Sequence, residues 1–325
     1  MMRVTRKIVL VVALCCAAAY LFCVDAARSS GPGNLIYKTN SLYQRVYVYR
    51  DGPVMTLRFS KRRPRVIQSQ VDLSNLRKHM LPYTRHMMAG LLYNPRPRRV
   101  LVLGLGGGVI PRDLHHYYPQ AQIDVVEIDP AIPPIAKRLF GFRTGERLRV
   151  HVDDGRRWIK KRLRDSPGVR YDMVVLDAFN SDYIPFHLMT QEFLLEVRRI
   201  LSPDGVVVAN VFYTNRLFDA ELKTFREVFG RCQVFYVPDS TNAMLVSPGK
   251  ALPTLTRGEA MERADGVQRE RGFHFDLPGV ARQLRESVRP DGSARVLTDD
   301  RAPVNWLRWQ QNEKSGARPS MPSHE

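Results

Sequence analysis

Three acids, each placed just after a short apolar run, are the residues of this 325-residue chain best suited to do chemistry. Glu127 ends the run in VVEIDP, Asp154 sits in HVDDGRRW, and Asp177 follows YDMVVL. A fourth run, Val100 to Leu103, stops at Gly104, with Gly106, Gly107 and Gly108 close behind. A strand that turns through glycines into a helix N-terminus presents backbone N–H groups to a nucleotide. The spacing is not the GxGxxG dinucleotide fingerprint, because Val109 stands where the third glycine is needed. Glu127 follows Gly104 by 23 residues, close to the roughly 20 expected for an acid that binds a ribose diol. Asp129 or Asp154 alone could be a helix cap. Glycines and three acids delivered to one rim are a stronger signal. A ribose, an adenine amine and a cationic substrate group each want an acceptor, and this rim offers acceptors.

Regular alternation of strand and helix patterns must position these groups. From Arg99 onward, strands are predicted at 99–104, 122–127, 148–152, 171–176, 206–212, 232–237 and 242–247. Helices are predicted near 109–118, 131–140, 156–164, 190–201 and 215–229. Five β–α units followed by two closely connected strands imply an α/β fold, a mostly parallel sheet with an antiparallel edge. Ligands bind outside the carboxyl ends of such strands. Upstream, residues 35–70 read as a β-rich unit: Gln44 to Arg50 and Val54 to Phe59 alternate around the turn Asp51-Gly52-Pro53, and Val66 to Gln68 is a third short strand. Ser74 can cap a helical segment, and Pro82 starts a better one whose Met87, Met88, Leu91 and Leu92 read as core. Residues 250–292 look helical and Arg-rich.

Composition adds limits. The apolar share of 44% and charged share of 25% are those of a globular protein. The net charge of +18 is large; without residues 1–30, which carry four basic side chains against one acid, it is still +15. Such a charge favours anionic surfaces, yet no finger spacing or aromatic-interleaved basic motif points to nucleic acid. Cys232 is alone in the body, so no disulfide or zinc pair is expected there. There is no P-loop, GxSxG elbow or HExxH. Arg3, Arg6 and Lys7 precede the 17-residue apolar run Ile8 to Val24, which predicts a signal peptide or membrane anchor over 1–30 and a membrane-associated or exported protein. The remaining divisions are a β-rich unit over 31–72, a nucleoside-binding catalytic domain over 73–310, and a loose tail over 311–325.

Taken in order, VLVLGLGGGVIPR, VVEIDP, HVDDGRRW, YDMVVLDAFNSDYIP and LTDDRAPVNWL resemble the spermidine/spermine synthase family, the polyamine aminopropyltransferases, over most of residues 35–306. The branch with membrane segments, in which DAFxSDxIP is typical, is the most similar. The resemblance implies a class I methyltransferase-like, Rossmann-like sheet of seven strands with a small N-terminal β unit. It also implies decarboxylated S-adenosylmethionine as co-substrate, a putrescine-like small-molecule amine as acceptor, and a possible homodimer. By position, Gln44, Gly104, Gly106, Glu127, Asp154 and Gly155 would hold the nucleoside, with Glu127 on the ribose and Asp154-Gly155 at the adenine. Tyr83, Asn180 and Asp182 would line the amine site, and Asp177 would be the catalytic base. A protonated amine cannot attack carbon, so a carboxylate must orient it and take its proton as nitrogen attacks the CH₂ beside the sulfonium. That chemistry calls for no metal.

Three departures from the family pattern open alternatives. Gly107 stands where the family's loop carries an aspartate that contacts the aminopropyl end of the donor. The second acid of the family's DxxD is Asn180. Arg85 falls where an acid is usual, which would disfavour a polycation. The alternatives are a methyl or alkyl transferase using S-adenosylmethionine itself, and a non-catalytic, membrane-tethered binding protein of the same fold.

Overall fold

The computed structural model describes residues 33–60, 66–178, 185–215 and 217–300. Strands β1 (Asn34–Asn40), β2 (Arg45–Asp51), β3 (Val54–Arg58) and β4 (Ser69–Asp72) form an antiparallel sheet in sequence order. The predicted hairpin is β2–β3, which pairs Tyr47 with Arg58 through Asp51 with Val54. The third strand begins at Ser69, one residue beyond the predicted Val66 to Gln68, because it pairs with Val54–Leu57 of β3 rather than running on from the turn.

Pro82 opens a short helix, α1 (Pro82–His86), that tightens into a 3-10 turn over Met87–Leu92. Every side chain of that turn is buried, so Met87 and Met88 are core as predicted. Ser74 caps no helix; its hydroxyl and N–H both bond Asp72.

The large sheet contains β5 (Arg99–Leu103), β6 (Gln122–Glu127), β7 (Leu148–Val152), β8 (Tyr171–Leu176), β9 (Leu201–Phe212), β10 (Gln233–Tyr236), β11 (Asn242–Pro248) and β12 (Leu284–Arg285). Its order is β12-β10-β11-β9-β8-β5-β6-β7, with β5 to β9 mutually parallel and β11 antiparallel beside β9. Among the described residues the sheet thus has eight strands rather than seven. The extra one, β12, is a two-residue pairing with β10 in a stretch that reads as helical, too short to show a period of its own. Helices α2 (Val109–Tyr117), α3 (Ile132–Leu139), α4 (Gly155–Asp165), α5 (Gln191–Ile200) and α6 (Leu217–Phe229) connect the strands, and α7 (Arg257–Arg271) and α8 (Leu277–Ala281) follow β11.

Strands such as RVLVL and YDMVVL are apolar at nearly every position because both sheet faces are covered. Val100 and Val102 face one core cluster with the 3-10 turn, α2 and α3; Leu101 and Leu103 face the other with α5 and α6. After β5 the chain builds β6 and β7 on one side, then crosses to build β8 and β9 on the other. The carboxyl ends of β5 and β8 therefore meet at a topological switch point, where such sheets open a crevice.

The expectation of a membrane-associated or exported protein is corrected here. Spanning the hydrocarbon core takes about 20 apolar residues. Among the described residues no helix is long and apolar enough to cross a membrane; the 15-residue α7 is Arg- and Glu-rich. The predicted signal or anchor over 1–30, the tail over 311–325, and Asn180 and Asp182 lie outside the described residues.

Candidate active site

Gly104, at the end of β5, sits at φ +99, a conformation that glycine alone adopts freely. A Cβ there would collide with the Asp177 carbonyl oxygen. The Asp177 N–H donates to the Leu103 carbonyl at 2.9 Å, so a bare backbone at 104 is what allows the ends of β5 and β8 to lie together. Beside them, Glu127 ends β6 and is 8% exposed. Its two carboxylate oxygens accept from the N–H groups of Leu105, 3.0 Å, and Asp129, 2.9 Å. Burial pushes its carboxyl up from the ordinary value, against the pull of those N–H groups.

Asp154 is a helix cap and a site residue at once. Oδ1 accepts from the Arg157 N–H at 2.8 Å, capping α4, while Oδ2 lies 3.0 Å from Nε2 of His187. The bond with His187, then the backbone N–H, hold this carboxyl below its usual range. Gly155 follows it against Leu103. Gln44, on the turn before β2, donates to Asp129 at 3.2 Å, and Ser41 donates to the same oxygen at 2.7 Å. Asp129 is fully buried, and its other oxygen accepts the Ala131 N–H. It therefore fastens the turn of the small sheet to the end of β6.

Asp177 is the most perturbed acid of the rim. Burial pushes its carboxyl up to about 7, while hydrogen bonds from Asn210 and Tyr83 act to lower it. Asn210 Nδ2 donates to Oδ1 at 2.9 Å. The Tyr83 hydroxyl, delivered by α1, reaches both this carboxylate and the Gln68 carbonyl at 3.3 Å, and is itself held well above its usual range by burial. With one proton to give, it favours the charged acceptor.

These groups line one cavity of about 1230 Å³. Ligand pockets commonly span about 300–1,000 Å³, so there is room for a nucleoside and a second molecule. Of the residues the sequence singles out, Gln44, Tyr83, Gly104, Gly106, Glu127, Asp154, Gly155 and Asp177 all line this cavity. Arg85 is not among the lining residues, so it does not oppose a cation in the cavity. Gly107 does not line it either. A Cβ at 107 would lie 2.7 Å from Ser69 Oγ and 2.9 Å from Phe140, so those side chains occupy the space an aspartate would need.

Among the polar lining residues that sequence reasoning did not single out are Ser69, His187, Asn210, Asp239, Ser240 and Asn242. Asn210 had a signal, being the polar residue near the end of the apolar run VVVANVF, the criterion that found Asp177. Asp239 has φ +54, the single positive value outside glycine among the described residues, but its turn reads from sequence as an ordinary connection. Ser69 and His187 come from segments whose approach to the rim no local pattern shows.

Comparison with known proteins agrees with this geometry. A family model described as the spermine/spermidine synthase domain matches residues 80–247. A polyamine aminopropyltransferase of Vibrio vulnificus is 38% identical over 93% of this chain and 99% of its own length. The chain belongs to the spermine/spermidine synthase family. It is a transferase, which sets aside the reading as a non-catalytic binding module, and nothing in the relatives supports a membrane-segment branch. The crystal structure of human methyltransferase-like protein 13 in complex with SAH has TM-score 0.54 and 30% identity, covering 58% of this chain and 91% of that one. A probable spermidine synthase from Corynebacterium glutamicum has TM-score 0.60 at 19% identity, covering 89% and 97%, a likeness of fold. The methyltransferase-like sheet is thus shared with both, and the family's reaction is aminopropyl transfer.

Proposed function

We propose that the chain transfers the aminopropyl group of decarboxylated S-adenosylmethionine to a putrescine-like diamine, with Asp177 as base. One observation carries this reading: in a chain of net charge +18, the described cavity lining includes Glu127, Asp154, Asp177 and Asp239 but no lysine or arginine. Such a lining suits cations. The donor's sulfonium and terminal ammonium and the acceptor's two ammoniums are all cationic, whereas the α-carboxylate of ordinary S-adenosylmethionine would find no lysine or arginine among the described lining residues to pair with.

Glu127 has its two oxygens fixed by backbone N–H groups and keeps further lone pairs for the ribose hydroxyls. Asp154 Oδ2 and His187 frame the region assigned to the adenine. Asp177 holds the acceptor ammonium and takes one of its protons. The freed nitrogen lone pair forms the new C–N bond, the C–S bond breaks, and its electron pair returns to sulfur as a neutral thioether. A carboxyl poised at about 7 is suited to both halves of that task.

A second reading has one feature in its favour: without an acid at 107, the glycine loop offers nothing specific to an aminopropyl ammonium, so S-adenosylmethionine could serve as an alkyl donor. Calorimetric titration with both nucleosides, paired with a turnover assay on a diamine, tests the choice. Tighter binding of the decarboxylated form with formation of a triamine is the expected result; tighter binding of the carboxylated form with methylated product would overturn it.

A further inference from the structure

The bonds around Asp177 do not stop at Asn210. Asn210 lies near the end of β9 and is 2% exposed. Its Oδ1 accepts from Nδ2 of Asn242, 2.8 Å away at the start of β11. Asn242 Oδ1 in turn accepts from the Ser240 hydroxyl at 2.6 Å, and Ser240 Oγ accepts the Asn242 N–H at 3.2 Å. Ser240 belongs to the turn 237–241, which lines the cavity and is pinned to β9 by the Tyr213 N–H on the Thr241 carbonyl.

With Asp177 ionised, as it must be to act as base, the polarity of this row is set. An ionised carboxylate only accepts, so Asn210 must face it with Nδ2 and not Oδ1. Its Oδ1 then needs a donor, which makes Asn242 present Nδ2 and turn Oδ1 to Ser240. Flipping either amide would set oxygen against oxygen or leave an N–H without its acceptor. We propose that Asn242 and Asn210 form an amide relay that positions Asp177, capping Oδ1 with a fixed N–H and leaving Oδ2 as the atom that takes the substrate proton. Through Ser240 the relay joins the base to the turn against which a ligand would rest. The other titratable group facing Asp177 among the described residues is the Tyr83 hydroxyl of α1; the relay itself is neutral.

This inference rests on Asp177 being the base, and the two can fail separately. The test is the pH dependence of kcat/KM for the acceptor in Asn242→Leu, Asn242→Asp and Ser240→Ala, beside Asp177→Asn. Asn242→Leu can neither donate nor accept, so Asn210 loses its anchor and the carboxylate its fixed donor. Turnover should fall about tenfold, with the acid limb moving alkaline by up to about one pH unit. Asn242→Asp keeps the shape but reverses the relay, turning Asn210 Oδ1 toward Asp177, and should move the limb further. A fall in rate with an unmoved limb overturns the relay, since packing alone would do that. Movement in Asn242→Asp but not in Asn242→Leu overturns it too, as a direct charge effect. If both Asn242 variants fail to fold, Ser240→Ala decides: a smaller alkaline movement supports the relay, and an unmoved limb overturns it. Near-normal turnover in Asp177→Asn would instead sink the base assignment.

Discussion

Replacing Asp177 by asparagine should make the protein both inactive and more stable. The carboxyl moves from 3.8 to about 7 on folding because it loses water, and two hydrogen bonds only partly offset this. Each pH unit is worth about 1.4 kcal/mol, so the ionised group costs the empty fold up to about 4 kcal/mol. A carboxyl raised on folding contributes its stability below 3.8 and loses it as pH climbs through about 7. The stability of the wild type, relative to Asp177→Asn, should therefore fall from about pH 4 and level off above about pH 7. Asparagine keeps an oxygen for the Asn210 N–H and can turn its own N–H toward the Tyr83 oxygen, so no new orphan is created. At about 2 °C per kcal/mol for a chain of this length, the variant should melt up to roughly 8 °C higher at pH 8 and nearly level with the wild type at pH 4. Turnover should drop at least about a hundredfold with loss of the base. Melting curves from pH 4 to 9 beside a product assay check both halves. Equal melting temperatures at pH 8 would refute the burial argument, and near-normal turnover would refute the catalytic one.

Gly104→Ala should cost about 1–3 kcal/mol from the positive φ and lower turnover more than donor affinity, because the clash falls on the Asp177 backbone; melting and steady-state kinetics would show it. Glu127→Gln sets an amide N–H₂ against backbone donors, so donor affinity should weaken at least about tenfold, with a stability loss of roughly 1–3 kcal/mol, read by calorimetry and melting. Asp129→Ala frees Ser41 and Gln44, and donor KM should rise while kcat at saturation changes little. His187→Ala removes the chief cause of the lowered Asp154 carboxyl, so donor affinity should gain an acid limb nearer the ordinary aspartate value, seen as weaker binding below about pH 5 than in the wild type.

Strand and helix positions in the large sheet were legible because two signals coincide there. Runs such as MVVL, before Asp177, are buried on both faces, and each is followed by a polar strand end and a 3.6-residue pattern. Strand β7 at 148–152 and β8 at 171–176 lie where the pattern places them. Where burial is one-sided or pairing short, the signal fades: β1 is largely exposed, and β12 has two residues. The site divides the same way. Glu127, Asp154 and Asp177 announce themselves as acids at strand ends, and Asn210 obeys the same placement without a charge to draw attention. Asn242 begins a strand rather than ending one. It reaches the rim because β11 runs antiparallel beside β9, a pairing that a one-dimensional pattern does not disclose.

The net charge of the chain is also a poor guide to what the cavity takes. Among the described residues, three arginines of α4 are paired with acids outside the cavity: Arg156 with Glu196 and Asp299, Arg157 with Asp153, and Arg162 with Asp124. Each pair cancels much of a positive field close to its source, and at physiological ionic strength exposed arginines farther than about 8 Å away are largely screened. Glu127 and Asp177 lie behind low-dielectric walls, where a given charge acts more strongly than at the surface. The potential felt by an entering molecule is therefore governed by a few acids in the cavity rather than by 50 lysines and arginines over the chain. A strongly basic protein can on this account hold a site for cations, and the paired arginines of α4 help to keep it so.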